Sequence, residues 1–530
     1  MKFKYISLLV VAMGMLIGGC KEKTEVFEDP YKGGRDPLGI VVNKEQIPVP
    51  AAGQAGTIVK IAATGLEKHK DSLKFMFNGE FAEVVNVTAT GIEARVPNRA
   101  SSGVTAFVVN QQIVFGPDFT VFGLVNRDPT FKVVLGTNGL INRAVPIAEG
   151  KFMLLGDFTD FDNKGAVKPI RRILRMFPDG TYDRGLLSAT GSNGQLSSMA
   201  TIGSQFYISG GFSGYAQRDG INNITKISNL GVIDTTAVTT YTLKQKNIST
   251  FNGGFDGFVD NVYAFNNKII AAGNFRYYVS RRYNMPTRKL QDSVVIDSVD
   301  VRQLARLNTD GSLDRTWRFD PEAIGYGGYK GKSLPGATGS IQTLMHTDGK
   351  LLVWGTFSKF DDQAAGYIVR LNADGTRDQS FTANADYYIN YVSFNATTNK
   401  YVAVGIFKSF NGKPTLSMVT LNYDGTVDES FKPKVFGGGF PTYVKQLDDG
   451  LSVVGGFFNT YDGVSRPGFL IVDKTGGLAE GYNTIGNLLG RILDVVETKS
   501  ADNKRALLIV GSFSTFDNQP INNIVRVTME

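Results

Sequence analysis

Short apolar runs that end in Gly-x-Phe recur seven times along the last three-quarters of the chain. Consecutive phenylalanines lie between 50 and 82 residues apart. A period near 50 residues with strand-like content is typical of a β-propeller, whose repeats are sheets packed against their neighbours. The pattern predicts seven blades over residues 124–530. The seven copies are Gly156/Phe158, Gly210/Phe212, Gly273/Phe275, Gly355/Phe357, Gly405/Phe407, Gly455/Phe457 and Gly511/Phe513.

Two further marks accompany the repeats. A strand runs into an Asp-Gly turn at 306–311, 370–375 and 420–425, and Asp-Gly is predicted to supply the positive-φ residues of a hairpin turn. An Asp-x-Ser-Phe segment follows at 378–381 and 428–431, but the last copy lacks it. A similar segment, 128–131, precedes the first blade. We therefore expect a strand near 128–131 to complete the seventh blade and close the ring.

Residues 36–123 form a separate module before the repeats. Apolar and polar residues alternate at 57–61, 73–77 and 105–109, and Asn78-Gly79 indicates a turn. The module resembles an IPT/TIG domain, which implies an immunoglobulin-like sandwich acting as a spacer or docking unit. The matching segments are 50–53, 56–57, 77–79 with Ala82, 96–97, Gly103 and 119–121.

The first 35 residues have the pattern of a targeting segment. Lys2 and Lys4 precede an apolar run at 6–17, and 16–20 reads Leu-Ile-Gly-Gly-Cys, which resembles a bacterial lipobox. We expect residues 1–19 to be a lipoprotein signal peptide, Cys20 to carry the lipid, and 20–35 to be a flexible tether. The charged residues after Cys20 resemble the surface-export signal of Bacteroidota lipoproteins. This implies an outer-membrane anchor facing the cell exterior, with a periplasm-facing anchor as the alternative.

Composition agrees with a globular β-protein. Glycine occurs 61 times and proline 18 times, and 42% of the residues are hydrophobic. The formal net charge is +7, and no block of basic residues appears. These features argue against nucleic acid as a partner.

The repeats resemble the delta-60 family of propeller repeats. Residues 303–317 read Gln-Leu-Ala-Arg-Leu-Asn-Thr-Asp-Gly-Ser-Leu-Asp-Arg-Thr-Trp, close to that family's pattern, and the resemblance spans 128–530. Together with the lipobox and the IPT/TIG-like module, it implies a Bacteroidota surface lipoprotein of the kind found near glycan-uptake systems.

Catalytic groups are sparse in the sequence. The two histidines, His69 and His346, are far apart and are predicted to have turn or surface roles. Cys20 is the lone cysteine, so we expect no zinc site, no cysteine nucleophile and no cofactor. The turn 308–314 superficially resembles a calcium loop but lacks its bidentate Glu, which favours a structural turn and leaves calcium open. Adjacent carboxylates such as 361/362 and 448/449 point to opposite faces of a strand, which argues against a glycosidase.

Two segments interrupt the period, 276–300 in the third blade and 318–336 before the fourth. Long loops on rigid scaffolds often carry function. Tyrosines can stack on sugar rings, and the resemblance to surface lipoproteins found near glycan-uptake systems implies glycan or polysaccharide binding without catalysis. The alternative is a protein-interaction scaffold in an outer-membrane surface complex. The two tryptophans, Trp317 and Trp354, are predicted to be core residues. The candidate ligand-binding residues are Tyr277, Tyr278, Tyr283, Tyr326, Tyr329, Tyr387, Tyr388 and Tyr391.

Overall fold

A computed structural model describes residues 36–165, 170–286 and 295–530. These residues form an all-β protein in which seven blades are arranged around a central channel. The innermost strands of neighbouring blades contact one another around the whole ring, from blade 1 through blade 7 and back to blade 1. The predicted all-β propeller fold is therefore confirmed.

Each blade has three regular antiparallel strands, and the chain runs from the channel outwards. The inner strands of blades 1–7 are Ile141–Pro146, Gln195–Ile202, Phe258–Phe265, Ile341–Met345, Ile389–Asn395, Phe440–Gln446 and Leu489–Lys499. The second strands are Phe152–Gly156, Gln205–Gly211, Lys268–Asn274, Leu351–Gly355, Lys400–Gly405, Ser452–Phe457 and Arg505–Phe516. The third strands are Ile173–Met176, Ile224–Ser228, Leu304–Leu307, Ile368–Leu371, Met418–Asn422, Phe469–Val472 and Ile524–Met529.

The fourth position of each blade is short. It is Tyr182–Asp183 in blade 1 and a single bridge in blades 2–6, such as Leu371 with Arg377. Buried side chains fill the spaces between neighbouring blades and form several clusters around the ring. Trp317 and Trp354 are buried in two of these clusters, which confirms their predicted core positions.

The repeated glycine has a steric cause. A Cβ on Gly156 would lie 2.1 Å from the carbonyl oxygen of Leu140 at the start of the neighbouring inner strand. Such a contact is impossible, so no other residue fits there without a shift of the backbone. Six of the predicted glycines meet a backbone carbonyl in this way: Gly156, Gly210, Gly273, Gly355, Gly405 and Gly511.

The sixth copy was placed one residue too early in the sequence. A Cβ on Gly455 would meet only the side chain of Ile492, whereas one on Gly456 would lie 2.6 Å from the Phe440 carbonyl. The buried aromatic of this blade is Phe458, and Phe457 is 51% exposed. The motif in blade 6 is therefore Gly456/Phe458, because two adjacent Gly-x-Phe registers overlap in the sequence Gly-Gly-Phe-Phe.

The ring is closed by a strand from the N-terminal side of the propeller. Val125–Arg127 pairs antiparallel with Ile524–Met529 and becomes the outermost strand of blade 7. It lies directly before the predicted 128–131 segment rather than within it. Asp128 then accepts hydrogen bonds from the Thr130 backbone N–H (2.8 Å) and hydroxyl (2.6 Å) and forms a buried ion pair with Arg526.

This ion pair repeats in other blades. An arginine on the third strand contacts the aspartate of the Asp-x-Ser-Phe segment, as Arg370 does with Asp378 at 2.8 Å. Because Asp128 supplies this aspartate for blade 7, the closing seam copies a contact found within ordinary blades. The other such pairs are Arg175–Asp183 and Arg306–Asp314.

The N-terminal domain is a compact β-structure with its own core. Its strands follow the spatial order Ala52–Gly53, Gln112–Val121, Gly103–Val109, Lys74–Phe77, Glu80–Thr88, Gly91–Arg95 and Ile58–Ala62. Phe75, Phe77, Phe107 and Phe119 are buried and meet edge to face. A short 3-10 helix spans Glu67–His69.

The two predicted insertions form one structure. Four strands from these segments and Gly254–Phe255, which precedes blade 3, build a five-stranded sheet. Its order is Gly254–Phe255, Tyr277–Arg282, Val295–Asp300, Lys330–Ser333 and Phe319–Ile324. Arg318, at the predicted start of the second insertion, belongs instead to the propeller, because its buried guanidinium bonds both carboxylate oxygens of Asp361. Two 3-10 turns, Ala148–Gly150 and Tyr326–Gly328, lie in blade 1 and in this sheet.

Small hairpins extend from the connections of the blades. One, Thr235–Thr239 with Gln245–Ser249, lies between blades 2 and 3. The others follow second strands. Three are Gly214–Tyr215 with Arg218–Asp219, Lys359–Phe360 with Gln363–Ala364, and Ser409–Phe410 with Lys413–Pro414. In blade 6, Thr460–Tyr461 pairs with both Val464–Ser465 and Phe436–Gly437, and in blade 7, Gln519–Pro520 pairs with the end of Arg505–Phe516.

Replacing the closing carboxylate should destabilise the propeller. In Asp128→Ala, the Arg526 guanidinium stays buried without its carboxylate, so we expect a loss of about 3–5 kcal/mol in the free energy of unfolding. Urea denaturation followed by tryptophan fluorescence measures it. The control is Glu322→Ala, which breaks an exposed ion pair with Lys330 and should cost less than about 1 kcal/mol. Equal losses in the two variants would show that the seam does not depend on this pair.

Candidate functional site

The surface candidates lie at one end of the propeller, which we call the loop face. Connections from second to third strands, and from each blade to the next inner strand, all lie at this end. The five-stranded insertion sheet and the small hairpins after second strands extend these connections. Function is therefore best sought on this face, where chain length varies while the blades stay regular.

The insertion sheet presents three tyrosines. The rings of Tyr277 and Tyr326 meet edge to face with centroids 5.2 Å apart, and the Arg276 guanidinium lies 5.5 Å from the Tyr277 ring. Tyr329 is exposed nearby in sequence. This arrangement offers aromatic edges and one cation above blades 3 and 4.

A second aromatic group lies between blades 4 and 5. Tyr387 and Tyr388 stack with centroids 4.2 Å apart, and Tyr367 contacts both rings. The Tyr388 carbonyl accepts the Ile406 N–H at 3.1 Å, which fixes the pair at the start of the inner strand. Tyr387 is the more exposed of the two stacked rings.

A groove of about 690 Å³ crosses the loop face over blades 6 and 7. Phe457 lines it and meets Phe440 edge to face at 6.4 Å, and Leu489 on its wall is 65% exposed. Asn459, Ser512 and Ser514 also line it, and their side chains make no hydrogen bond to other described residues. The groove thus combines an exposed aromatic ring with free amide and hydroxyl groups.

Sequence reasoning missed this groove. Gly455/Phe457 is the Gly-x-Phe copy that the sequence pattern assigns to blade 6, one position early, so Phe457 does not stand out as an additional aromatic residue. The doubled Gly-Gly-Phe-Phe was the available signal, since a blade needs only one phenylalanine at the buried position.

The central channel contains a polar cluster around Arg143 of blade 1. Its guanidinium donates to Asn261 Oδ1 of blade 3 (3.1 Å) and to the Tyr391 hydroxyl of blade 5 (3.4 Å), and lies 3.7 Å from Asp494 of blade 7. Although burial lowers the pKa of Arg143, the nearby Tyr391 and Asp494 raise it overall. Arg143 thus links four blades across the axis. Tyr391 is part of this interior network, so we remove it from the surface ligand candidates.

Bulges in the inner strands aim polar side chains at the next blade. The Asn142 Nδ2–H donates to the Leu196 carbonyl at 2.6 Å. The Ser197 hydroxyl donates to the Val259 carbonyl at 2.6 Å, and the Asn390 Nδ2–H donates to the Pro441 carbonyl at 3.0 Å. In blade 3 the bulged residue is Asp260, which has no proton to donate when ionised. Burial raises the pKa of Asp260 to about 6, and the charge of Arg143 only partly opposes this.

Other predicted residues have structural roles. Tyr278 is buried and donates its hydroxyl to the Gly311 carbonyl at 3.1 Å, so it cannot meet a ligand. Tyr283 is half-buried with Lys246 5.5 Å from its ring. His346 begins a turn, as predicted, since its carbonyl accepts the Gly349 N–H at 3.1 Å, but it is buried rather than at the surface. Burial lowers the pKa of His346 to about 4, which keeps it neutral at pH 7. Cys20 lies outside the described residues.

The aspartates of the Asp-Gly turns act on the backbone. Asp310 Oδ1 accepts the Ser312 N–H (2.9 Å) and hydroxyl (2.7 Å), as expected for a structural turn. Only Gly311 has a positive φ, whereas both turn residues were predicted to have one. Within the described ranges, no group of three acidic, histidine or cysteine side chains is placed to hold a metal ion. The same residues contain no helix with the length and apolar content needed to cross a membrane.

Two family models match parts of the chain. The first family model is described as a domain of unknown function (DUF5122) beta-propeller, which agrees with the ring of blades. It matches residues 292–316, 346–381 and 397–431. Residues 16–117 match a domain of unknown function (DUF5008). No curated protein matches the chain. Fold and family match together define a β-propeller protein.

Solved structures that match this chain include one β-propeller domain and a bacterial nutrient binding protein. The WD40 beta propeller domain of Doa1 is 11% identical and covers 77% of this chain and 97% of its own, with a TM-score of 0.38. An auxiliary nutrient binding protein from Bacteroides thetaiotaomicron VPI-5482 is 9% identical, and the match covers 92% of this chain and 98% of that protein, with a TM-score of 0.33. Saccharomyces cerevisiae Sqt1 is 9% identical, and the match covers 90% of this chain and 95% of Sqt1, with a TM-score of 0.32.

Neutralising the bulged carboxylate of blade 3 should stabilise the protein above pH 6. Between pH 3.8 and about 6 the folded state binds more protons at Asp260 than the unfolded state, so stability falls as pH rises through that window. Asp260→Asn lacks this loss and gains a donor like those of Asn142 and Asn390.

We expect Asp260→Asn to be about 1–2 kcal/mol more stable than the parent at pH 7.5, with the difference shrinking at pH 4. Urea unfolding at both pH values measures it. Asp71→Asn, at an exposed position of the N-terminal domain, is the control and should show no such pH dependence. If the free energy of unfolding of Asp260→Asn differed from that of the parent by the same amount at both pH values, the raised pKa of Asp260 would be contradicted.

Proposed function

We propose that this protein is a non-catalytic binding protein that holds a glycan or polysaccharide on the loop face. The observation that carries the proposal is the exposed ring of Phe457 in the groove over blades 6 and 7. In the other blades the motif phenylalanine is buried, so this additional aromatic is free to contact a ligand.

The chemistry of the groove suits a sugar chain. Apolar faces of sugar rings stack on aromatic side chains, and amides and hydroxyls bond the sugar hydroxyls. Phe457 supplies the ring, and Asn459, Ser512 and Ser514 supply free polar groups. The described residues that line the groove include no carboxylate, which favours binding over hydrolysis. Tyr387 is a separate exposed ring on the same face, between blades 4 and 5.

A protein partner is the second candidate. Phe440, Phe457 and Leu489 are all exposed, and an apolar patch with a polar border also suits a protein interface. In this case the loop face would act as a scaffold in an outer-membrane surface complex.

We further propose lipid anchoring through Cys20, with residues 1–19 removed and the protein displayed at the cell surface. The support is the Leu-Ile-Gly-Gly-Cys sequence at 16–20 and the charged residues that follow it. An IPT/TIG-like N-terminal domain would then hold the propeller away from the membrane.

Polysaccharide binding tests the leading candidate. Purified residues 21–530 are applied to immobilised plant, host and microbial polysaccharides. We expect binding that falls at least about tenfold in Phe457→Ala, because losing one stacked ring removes about 1.4 kcal/mol or more. Phe81→Ala, at a comparably exposed phenylalanine of the N-terminal domain, is the matched control and should bind normally.

A double change Tyr326→Ala/Tyr329→Ala separates the groove from the insertion sheet. Loss of binding in this double variant with normal binding in Phe457→Ala would move the site to blades 3 and 4. Absence of binding across the panel would count against a glycan and turn attention to proteins recovered with the chain from outer membranes.

A further inference from the structure

A second cavity lies between the N-terminal domain and blade 6. Its volume is about 770 Å³, within the range of small-molecule sites, which often form at domain interfaces. Both domains contribute to its wall. Its polar lining includes Gln54, Asn98, Arg99, Asp462, Glu480 and Arg466, and Phe122 supplies an aromatic ring. We call this cavity the interdomain cleft.

The cleft is preformed, because direct hydrogen bonds hold its two sides together. The Ser102 N–H and hydroxyl both donate to the Thr484 carbonyl, at 2.9 and 3.0 Å. Asn518 Nδ2 donates to the Ser102 carbonyl at 3.0 Å, and the Leu124 N–H donates to Gly481 at 2.8 Å. A ligand that enters therefore does not bear the cost of ordering the two domains.

Arg466 places a positive charge on the cleft wall; Glu80 is near enough to act on its pKa, but no described carboxylate forms an ion pair with it. The residue is 3% exposed, and its Nη groups donate only to uncharged oxygens, those of Arg99, Ser101 and Ser465. Its Nε–H has no partner among the described residues. Burial is the main cause that lowers the pKa of Arg466 to about 10, as expected for a guanidinium without a paired carboxylate.

The opposite side of the cleft offers a stacking surface. Phe122 is 55% exposed and follows the strand that ends at Val121. Arg99 is half-exposed and lies 3.7 Å from Asp462, too far for a strong paired hydrogen bond. Gln54 and Asn98 add amide groups. An aromatic ring, two guanidiniums and amides are the groups that recognise a sugar carrying an acid.

We propose that the interdomain cleft is a second binding site, which takes a saccharide bearing a carboxylate, such as a uronic acid. The sugar ring stacks on Phe122, and its carboxylate pairs with the exposed guanidinium of Arg99 and is attracted by the buried positive charge of Arg466. Guanidinium and carboxylate match in geometry and form strong charge-assisted hydrogen bonds. This site is separate from the groove on the loop face and does not depend on it.

Calorimetric titration of residues 21–530 tests the proposal. The probes are oligosaccharides of galacturonic, glucuronic and mannuronic acid, with neutral oligosaccharides of the same length for comparison. We expect an acidic probe to bind, and its affinity to fall at least about tenfold in Phe122→Ala and in Arg99→Ala. Both side chains are exposed, so these changes should leave folding intact.

Phe115→Ala is the matched control, since Phe115 is 54% exposed on the same domain but outside the cleft. It should leave the acidic probe's affinity unchanged. The proposal is overturned if no acidic probe binds, if neutral probes lose as much affinity as acidic ones in Arg99→Ala, or if Phe122→Ala and Arg99→Ala bind the acidic probe normally. A ligand lost only in Phe457→Ala would support the loop-face site and reject the cleft.

Discussion

The propeller depends on the pairing of Val125–Arg127 with Ile524–Met529. Without it, the third strand of blade 7 would leave an unpaired edge. The buried ion pair of Asp128 and Arg526 secures this seam with the same contact that recurs within blades 1, 3 and 4. Closure thus uses the ordinary chemistry of a blade, contributed by a distant part of the chain.

Ring closure also decides where variation is tolerated. Each blade keeps a glycine against the carbonyl of its own inner strand, and blades 1, 2 and 5 send a polar bulged side chain to the next blade. Extra residues collect in the connections at the loop face. The insertion sheet, the stacked pair of Tyr387 and Tyr388, and the groove at Phe457 all lie there, whereas the channel below is filled by the network around Arg143.

The sequence predicted the blades because their signals are steric and repeat in every copy. It could not decide between overlapping registers in Gly-Gly-Phe-Phe, since only the distance to the Phe440 carbonyl separates Gly455 from Gly456. It treated two insertions as separate loops, because pairing between Asp300 and Lys332 joins strands that are distant in sequence. Tyr278 and Tyr391 looked like their exposed neighbours, and only tertiary packing gives them interior partners. The interdomain cleft depends on how two domains meet, which local pattern does not encode.

The seam has a mechanical consequence. The last strand of the N-terminal domain ends at Val121, and the strand that closes the ring begins at Val125. Tension between the N-terminal domain and a ligand held on the loop face has two routes into the propeller. It passes through the hydrogen bonds at Ser102 and Leu124, or along this short link into the hydrogen bonds of blade 7. The pulling force therefore acts on the strand pair that closes the ring. The force needed to open the propeller is set by the hydrogen bonds of that pair rather than by those of the other blades.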